Sequence, residues 1–148
     1  MAKFQYKLQS VLDIKQKLEN QEKIAFGLAT AKLLEEQDTL QKLMLQKAGY
    51  DRQARKLLEG SINLLEINSC RKAVETMKTR IRAQVFEVHK AEKQLDIVRQ
   101  RLNEVMIERK TYEKLREKKF DEFKAELLYE ENKVVDELVS YTYHQNEE

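Results

Sequence analysis

The feature of this sequence that most restricts its fold is a seven-residue repeat of apolar side chains between positions 70 and 112. Spacings of four and three residues alternate through thirteen positions, of which eleven are apolar: Cys70, Val74, Met77, Ile81, Gln84, Val88, Ala91, Leu95, Val98, Leu102, Val105, Arg109 and Tyr112. A repeat of 3.5 residues per turn keeps one stripe of a helix against a partner helix as the two supercoil. The pattern therefore predicts a coiled coil.

Composition favours long helices over a broad globular core. The 148 residues include no Pro, no Trp and three Gly, and 36% of them are charged. Pro and Gly are the residues that most strongly disfavour a helix interior, so their scarcity leaves helices uninterrupted. With a mean hydropathy of −0.73, the chain has apolar surface enough for a narrow seam between two helices.

One turn signal divides the chain, at Gly60 to Asn63. Gly60 suits the left-handed residue after a helix, and Asn63 with Glu66 three residues later has the form of a capping box. We therefore expect residues 1–148 to form a single all-α antiparallel coiled-coil hairpin. Its predicted parts are helix one over about 3–59, a turn over about 60–63 and helix two over about 63–143.

Reversal at this turn predicts that Leu40 lies near Ile81 and Phe4 near Lys118. The later half of helix one has its own repeat, at Leu33, Leu40, Leu43, Tyr50, Ala54 and Leu57, with Glu36 and Lys47 as polar interruptions. Its earlier half fits a frame offset by one residue, at Phe4, Leu8, Val11, Leu18, Ala25 and Ala29. This offset predicts a local disturbance of the supercoil.

Helix two should extend beyond helix one as a single acidic helix. Its repeat slips after Tyr112, and apolar residues resume at Phe120, Phe123, Leu127, Val134 and Tyr141. Residues 71–119 carry 15 basic and 8 acidic side chains, a net of +7, whereas residues 120–148 carry 2 and 9, a net of −7. An isolated helix of this kind is marginal in water and favours a partner.

The sequence contains no constellation typical of an enzyme or a cofactor site. The sequence contains neither of the glycine motifs that bind phosphate, G-x-x-x-x-G-K-[ST] and G-x-G-x-x-G. Neither His89 nor His144 is spaced to share a metal with another His or Cys. Cys70 is the one cysteine, which excludes an intrachain disulfide and fits a cytoplasmic protein. The most apolar run, residues 24–31, is far shorter than the roughly 20 residues that span a bilayer. We predict no catalysis, cofactor, metal or small-molecule substrate.

The most distinctive surface lies at residues 109–120, called here the basic stretch. It holds six cations and two acids, with aromatic residues at Tyr112 and Phe120. Such a stretch is typical of a site for an acidic protein surface, of a nucleic-acid site, or of a solvated coiled-coil exterior. The acidic block that follows would repel nucleic-acid phosphates, so the sequence favours a protein partner and no nucleic acid.

Two segments resemble the FliJ family of flagellar export proteins. They are FQYKLQSVLDIK at residues 4–15 and ERKTYEKLREKK at residues 108–119, the latter followed by an acidic stretch through Asp136 and Glu137. The resemblance covers the whole chain. It implies a non-enzymatic component of the flagellar type III export apparatus, with an antiparallel coiled coil similar to the central stalk of rotary ATP synthases.

The resemblance also implies partners. Members of the family direct the end that carries both termini towards the pore of the hexameric export ATPase, and they contact the membrane export gate and export chaperones. The protein would then be cytoplasmic and peripherally associated with the membrane at the flagellar base. The ATPase-facing residues implied for this chain are Phe4, Leu8, Arg109, Lys110, Lys114, Arg116 and Phe120.

The export-gate residues implied for this chain are Tyr50, Ala73 and Met77. Ala73 departs from the larger side chain expected there, and the position of Met77 in the repeat favours core packing over contact with the gate. A competing interpretation is a generic structural or chaperone-like coiled coil that binds client proteins through its acidic C-terminal helix.

Overall fold

The computed structural model describes residues 3–147, which form two helices joined by a short turn. Helix α1 spans Gln9–Leu57 (49 residues) and helix α2 spans Leu64–Glu147 (84 residues). Residues 3–147 contain no strand, and the two helices pack against each other. The predicted all-α class, with two long paired helices, is confirmed.

The turn is built by the two residues that the sequence singles out. Gly60 has a φ of 90°, a conformation that costs a residue with a Cβ about 1 kcal/mol or more. The Asn63 side-chain oxygen accepts a hydrogen bond from the Leu65 N–H at 3.0 Å and so caps the start of α2. The backbone carbonyl of Asn63 accepts the N–H of Ile67 at 3.1 Å, which begins the helical ladder.

The helix ends differ from those expected. Residues 3–6 are not helical, and α1 begins at Gln9, where its N–H donates to the Tyr6 carbonyl at 3.0 Å. The expected start near Lys3 is therefore too early. Helix α2 continues to Glu147, beyond the expected end near residue 143. Met1, Ala2 and Glu148 lie outside the described residues.

Packing divides the chain into two compact units. One comprises Met1–Asn20 and Glu104–Glu148, and the other comprises Gln21–Asn103. In each unit a segment of α1 packs against a segment of α2. The single-domain organisation expected from the sequence stays a prediction.

The Gln21–Asn103 unit has a small apolar core and one polar layer. Ala29, Leu95 and Val98 are buried, with Val98 only 4% exposed, and Phe26 packs against them. Farther along, the Gln84 side-chain amide donates to the Glu36 carbonyl at 2.9 Å and to its carboxylate at 2.5 Å. Glu36 and Gln84, one polar member from each repeat, therefore satisfy each other across the seam.

The repeat predicted on α2 is the face that packs against α1. All thirteen of its positions between Cys70 and Tyr112 are buried or half-buried. The later half of α1 behaves in the same way, because every predicted position from Leu33 to Leu57, including Glu36 and Lys47, is half-buried. Spacing alone predicts these stripes because few alternative frames place so many apolar residues on one face.

The offset frame predicted for the earlier half of α1 is only partly right, because Phe4, Val11, Ala25 and Ala29 are buried or half-buried but its two leucines are not. Leu8 and Leu18 are exposed, at 40% and 36%, whereas Leu12 is only 3% exposed. One set of buried or half-buried side chains continues the three-and-four spacing of the later half without a slip: Leu12, Lys15, Glu19, Glu22, Phe26 and Ala29. Three of these six side chains are charged. A frame chosen by counting apolar residues misses a seam that contains charged layers.

Candidate protein-docking surface

An aromatic cluster fixes the non-helical N-terminal segment onto α2. The half-buried Phe4 ring meets the Phe120 ring edge-on, with centroids 5.1 Å apart, and lies 5.6 Å from the Phe123 ring. Tilted and edge-on arrangements let the positive ring edge face the negative ring face. The expected approach of Phe4 to the region of Lys118 is close to what the structure shows.

Two polar contacts hold the same segment. The Tyr6 hydroxyl donates to the backbone carbonyl of Tyr112 at 3.2 Å. The Arg116 Nε donates to the Gln9 side-chain oxygen at 2.9 Å, and its guanidinium lies 5.8 Å from the centre of the Phe4 ring. Arg116 thus joins the start of α1 to the aromatic cluster.

A charged layer lies deeper in this unit, where Arg109 occupies a seam position. Its Nε and Nη2 donate to the two carboxylate oxygens of Glu19, the second at 3.4 Å, and its Nη1 donates to Glu113 at 2.8 Å. Glu19 is 5% exposed and the Arg109 side chain 19% exposed. The hydrogen bond to Glu19 raises the pKa of Arg109 above its usual value, against the opposing effect of burial.

A second charged pair adjoins this layer. The Lys15 ammonium lies 2.6 Å from a carboxylate oxygen of Glu108. That hydrogen bond raises the pKa of Lys15, although burial acts in the opposite direction. In the Glu19–Arg109 and Lys15–Glu108 pairs, one residue belongs to α1 and the other to α2. The two charged layers therefore fix which residues of α1 lie against which residues of α2.

The basic stretch also presents cations that the fold does not use. Lys110, Lys114 and Lys118 are exposed and recur every four residues, so they form one stripe on α2. None of the three makes an ion pair within residues 3–147. By contrast, Lys119 pairs with Glu122 at 3.4 Å and Lys124 lies 4.7 Å from the centre of the Phe120 ring.

The residues predicted to face the ATPase therefore fall into four groups. Phe4, Arg116 and Phe120 form one cluster, while Lys110 and Lys114 are exposed on another face of α2. Arg109 lies inside the seam, and Leu8 is 40% exposed at the start of α1. Contact of any of them with a partner stays a prediction.

The three residues predicted to face the export gate belong to the other unit. Met77 is 6% exposed, whereas Tyr50 and Ala73 are half-buried. The burial of Met77 agrees with the interpretation that it packs in the core. A role for these residues at the gate stays a prediction.

Sequence reasoning missed the polar residues that organise this end of the fold. Glu19, Tyr6 and Gln9 were not singled out, yet each contacts α2. One signal could have found Glu19: continuing the three-and-four spacing of the later half of α1 backwards places it on the seam. The bonds of Tyr6 and Gln9 depend on the path of a non-helical segment, which periodicity does not describe.

Residues 3–147 offer neither a membrane span nor a metal site. Neither helix contains a segment long and apolar enough to cross a membrane. No group of three His, Cys, Asp or Glu side chains in this part of the chain is arranged to hold a metal ion. Cys70 is a free thiol, 7% exposed, at a seam position.

Comparison with known proteins identifies one family. The family model described as "Flagellar FliJ protein" matches residues 4–148, which is nearly the whole chain. No significant match was found among curated proteins or among solved structures.

Proposed function

The chain belongs to the FliJ family of flagellar proteins, and from that premise we propose that it is a non-enzymatic adaptor of flagellar protein export. In this proposal it engages the hexameric export ATPase through the end formed by residues 3–9 and the basic stretch. It also links that ATPase to the membrane export gate and to export chaperones, so it works at the cytoplasmic face of the membrane.

The observation that carries the proposal is that one unit holds both a fixed aromatic cluster and, on another face of α2, an unpaired basic stripe. Phe4 and Phe120 are locked together under Arg116, so this end presents a defined surface rather than a loose terminus. The stripe of Lys110, Lys114 and Lys118 is exposed on another face of the same part of α2, because residues two apart on a helix point to different faces. Cations that are not neutralised within the fold steer an acidic partner and select its orientation.

The buried Arg109 has a different role in this proposal. Its guanidinium is engaged by Glu19 and Glu113, so it holds the seam in register and does not bind the ATPase directly. Reversing its charge would damage the fold and the docking surface together. Lysine variants on the stripe separate the two effects.

The test is stimulation of ATP hydrolysis by the cognate export ATPase. Lys110→Glu, Lys114→Glu and Lys118→Glu together should raise the protein concentration needed for half-maximal stimulation about tenfold or more, since each charge opposes the partner. The matched control reverses three exposed cations of the other unit, Arg80, Lys93 and Arg101. Equal stimulation by both triple variants would show that the stripe is not the docking surface.

The proposed gate contact uses Tyr50, Ala73 and Met77 in the Gln21–Asn103 unit. Ala73 is the most informative of the three because it is half-buried and can be replaced without replacing the buried Met77. Ala73→Phe should change co-purification with the gate protein while stimulation of the ATPase is retained. Loss of both activities at once would argue against separate sites.

A second candidate function is binding of client proteins through the acidic end of α2. Residues 124–146 are exposed throughout and include large apolar side chains, such as Leu138 at 60% exposed. Deleting residues 124–148 distinguishes the two functions. An adaptor that acts through the basic stripe keeps stimulating the ATPase, whereas a client-binding protein loses its clients.

A further inference from the structure

One apolar face of the last part of α2 is partly covered by Phe4 up to residue 123 and continues uncovered beyond it. Phe120 and Phe123 contact Phe4. Beyond them, residues 124–146, called here the C-terminal segment, are helical and exposed at every position. The segment is long enough for about six helical turns.

The C-terminal segment carries a broad apolar face. Leu127, Val134, Leu138 and Tyr141 follow three, four or seven residues apart, in the same stripe as Phe120 and Phe123. A second apolar row beside them widens the face: Leu128, Val135 and Val139, at 58%, 54% and 63% exposed. The uncovered face is thus continuous with the face against which Phe4 packs, and its width suits a packed helix.

Acidic side chains border and interrupt this face. Glu126, Glu130 and Glu137 lie along one edge, and Glu131 falls within the face itself, next to Leu127 and Leu128 on one side and Val134 and Val135 on the other. None of these four glutamates makes an ion pair within residues 3–147. A group that covers the face must therefore supply positive charge, because a buried unpaired carboxylate is costly.

We propose that the C-terminal segment binds an amphipathic helix of another protein, whose apolar stripe is bordered by Lys or Arg and places one cation opposite Glu131. Pairing with the same segment of a second copy is disfavoured, since it sets a net charge of −3 against −3. The site does not include the basic stripe, so the proposal does not depend on docking to the ATPase; it specifies the partner for the second candidate function, which places client binding on this same segment.

The experiment measures binding of designed peptides to the full-length chain by fluorescence anisotropy. The basic probe is a helix of about 21 residues, or three heptads, with Leu on one face and Lys at its borders. The acidic probe replaces each Lys with Glu, and a scrambled probe keeps the basic composition without the amphipathic pattern. We expect the basic probe to bind at least about tenfold more tightly than either of the others.

Three variants examine the face and its charge separately. Leu127→Ser with Leu138→Ser should abolish binding of the basic probe. Reversing Glu126, Glu130 and Glu137 to Lys should make the acidic probe the tighter ligand. The matched control reverses Glu35, Glu59 and Glu104, which are exposed elsewhere on the chain, and should keep the original preference. Circular dichroism at 222 nm checks that each variant retains its helix content.

Four results would overturn the proposal. Equal binding of the basic and scrambled probes would reduce the site to general charge attraction, and absence of binding would exclude it. An unchanged preference in the triple Glu→Lys variant would show that these acids do not select the partner. Sedimentation that reveals a dimer resistant to the basic probe would assign the face to a second copy of the chain.

Discussion

Glu19 of α1 and Arg109 of α2 are joined by two hydrogen bonds inside the helix seam, although they lie 90 residues apart in the chain. Glu113 engages the remaining side of the guanidinium at 2.8 Å. Polar layers in coiled coils fix register and orientation at some cost in stability, because a shifted register leaves a buried charge unpaired. We interpret these three residues as the contact that fixes the register of α1 against α2 in the unit formed by Met1–Asn20 and Glu104–Glu148.

Removing Glu19 alone should destabilise the protein more than removing Glu19 and Arg109 together. Glu19→Ala leaves the covered Arg109 without its main acceptor, whereas Glu19→Leu with Arg109→Leu replaces the pair by apolar packing. We expect a clear fall in Tm for the single variant and a Tm equal to or above that of the unmodified chain for the double variant. Thermal unfolding followed at 222 nm measures both.

The control for this comparison is an exposed pair on the same helix. Lys42 and Asp38 are 3.0 Å apart, with side chains 72% and 60% exposed. Lys42→Ala should change the free energy of unfolding by less than about 0.5 kcal/mol, since solvent screens such pairs. A fall as large as that of Glu19→Ala would contradict the special role of the buried layer.

Val98 should be among the most sensitive apolar positions of the Gln21–Asn103 unit. It is 4% exposed and packs in the core with Ala29 and Leu95. Val98→Ala should lower the free energy of unfolding by about 1–2 kcal/mol, because it removes buried methyl groups and the narrow seam closes only part of the space that they leave. Urea unfolding gives the difference, and Ile97→Ala is the adjacent control at 44% exposed. Equal costs would show that this seam does not define the core.

Glu36 should make stability depend on pH in the acidic range. Hydrogen bonds from Lys32 and then Gln84 lower the pKa of its carboxyl from 4.5, against the opposing effect of burial. The folded state therefore binds this proton less readily than the unfolded state. The resulting stabilisation is fully present above pH 4.5 and is lost as the pH falls through the lower folded-state pKa.

The measurement compares urea midpoints of the unmodified chain and Glu36→Gln between pH 7 and pH 3. We expect the unmodified chain to be more stable at pH 7 and its advantage to shrink below pH 4.5. Glu35→Gln removes the same charge from the exposed neighbouring position and controls for net charge. An advantage that grows on acidification would have the wrong sign for the hydrogen-bond explanation.

Tyr6 should determine how firmly the N-terminal segment lies on α2. Its hydroxyl donates to the Tyr112 carbonyl at 3.2 Å. Tyr6→Phe removes that bond, worth about 0.5–1.5 kcal/mol, and keeps the ring. Exchange of the Gln9 amide, which donates to the Tyr6 carbonyl, should accelerate while exchange in the Gln21–Asn103 unit is unchanged. Tyr129→Phe, at an exposed position, should leave both rates as they are.

The α2 seam was predictable because spacing alone carries the signal. Eleven apolar residues at thirteen positions leave one frame that buries them, and the structure covers every one of those positions. The turn was predictable for an equally local reason, since Gly60 and Asn63 act through their own backbone conformation and nearest neighbours. The cluster of Phe4 and Phe120 followed from the reversal of the chain at that turn.

The earlier half of α1 was not predictable from apolar residues, because its seam contains charged side chains. Lys15 and Glu19 look like surface residues in sequence, and only their partners Glu108 and Arg109 on the other helix make their burial tolerable. The same pairing accommodates Arg109 in the seam position that the repeat predicts for it, although the resemblance implies an ATPase-facing role. It leaves Lys110, Lys114 and Lys118 as the exposed stripe.

The sequence by itself determined the helices, the place of reversal and the apolar stripe of α2, since these depend on residue type and local spacing. Only the tertiary structure decided which charges are buried and which remain for a partner. That decision depends on which side chains of α1 and α2 meet, because a carboxylate or a guanidinium is stable in a seam only where an opposite charge lies against it.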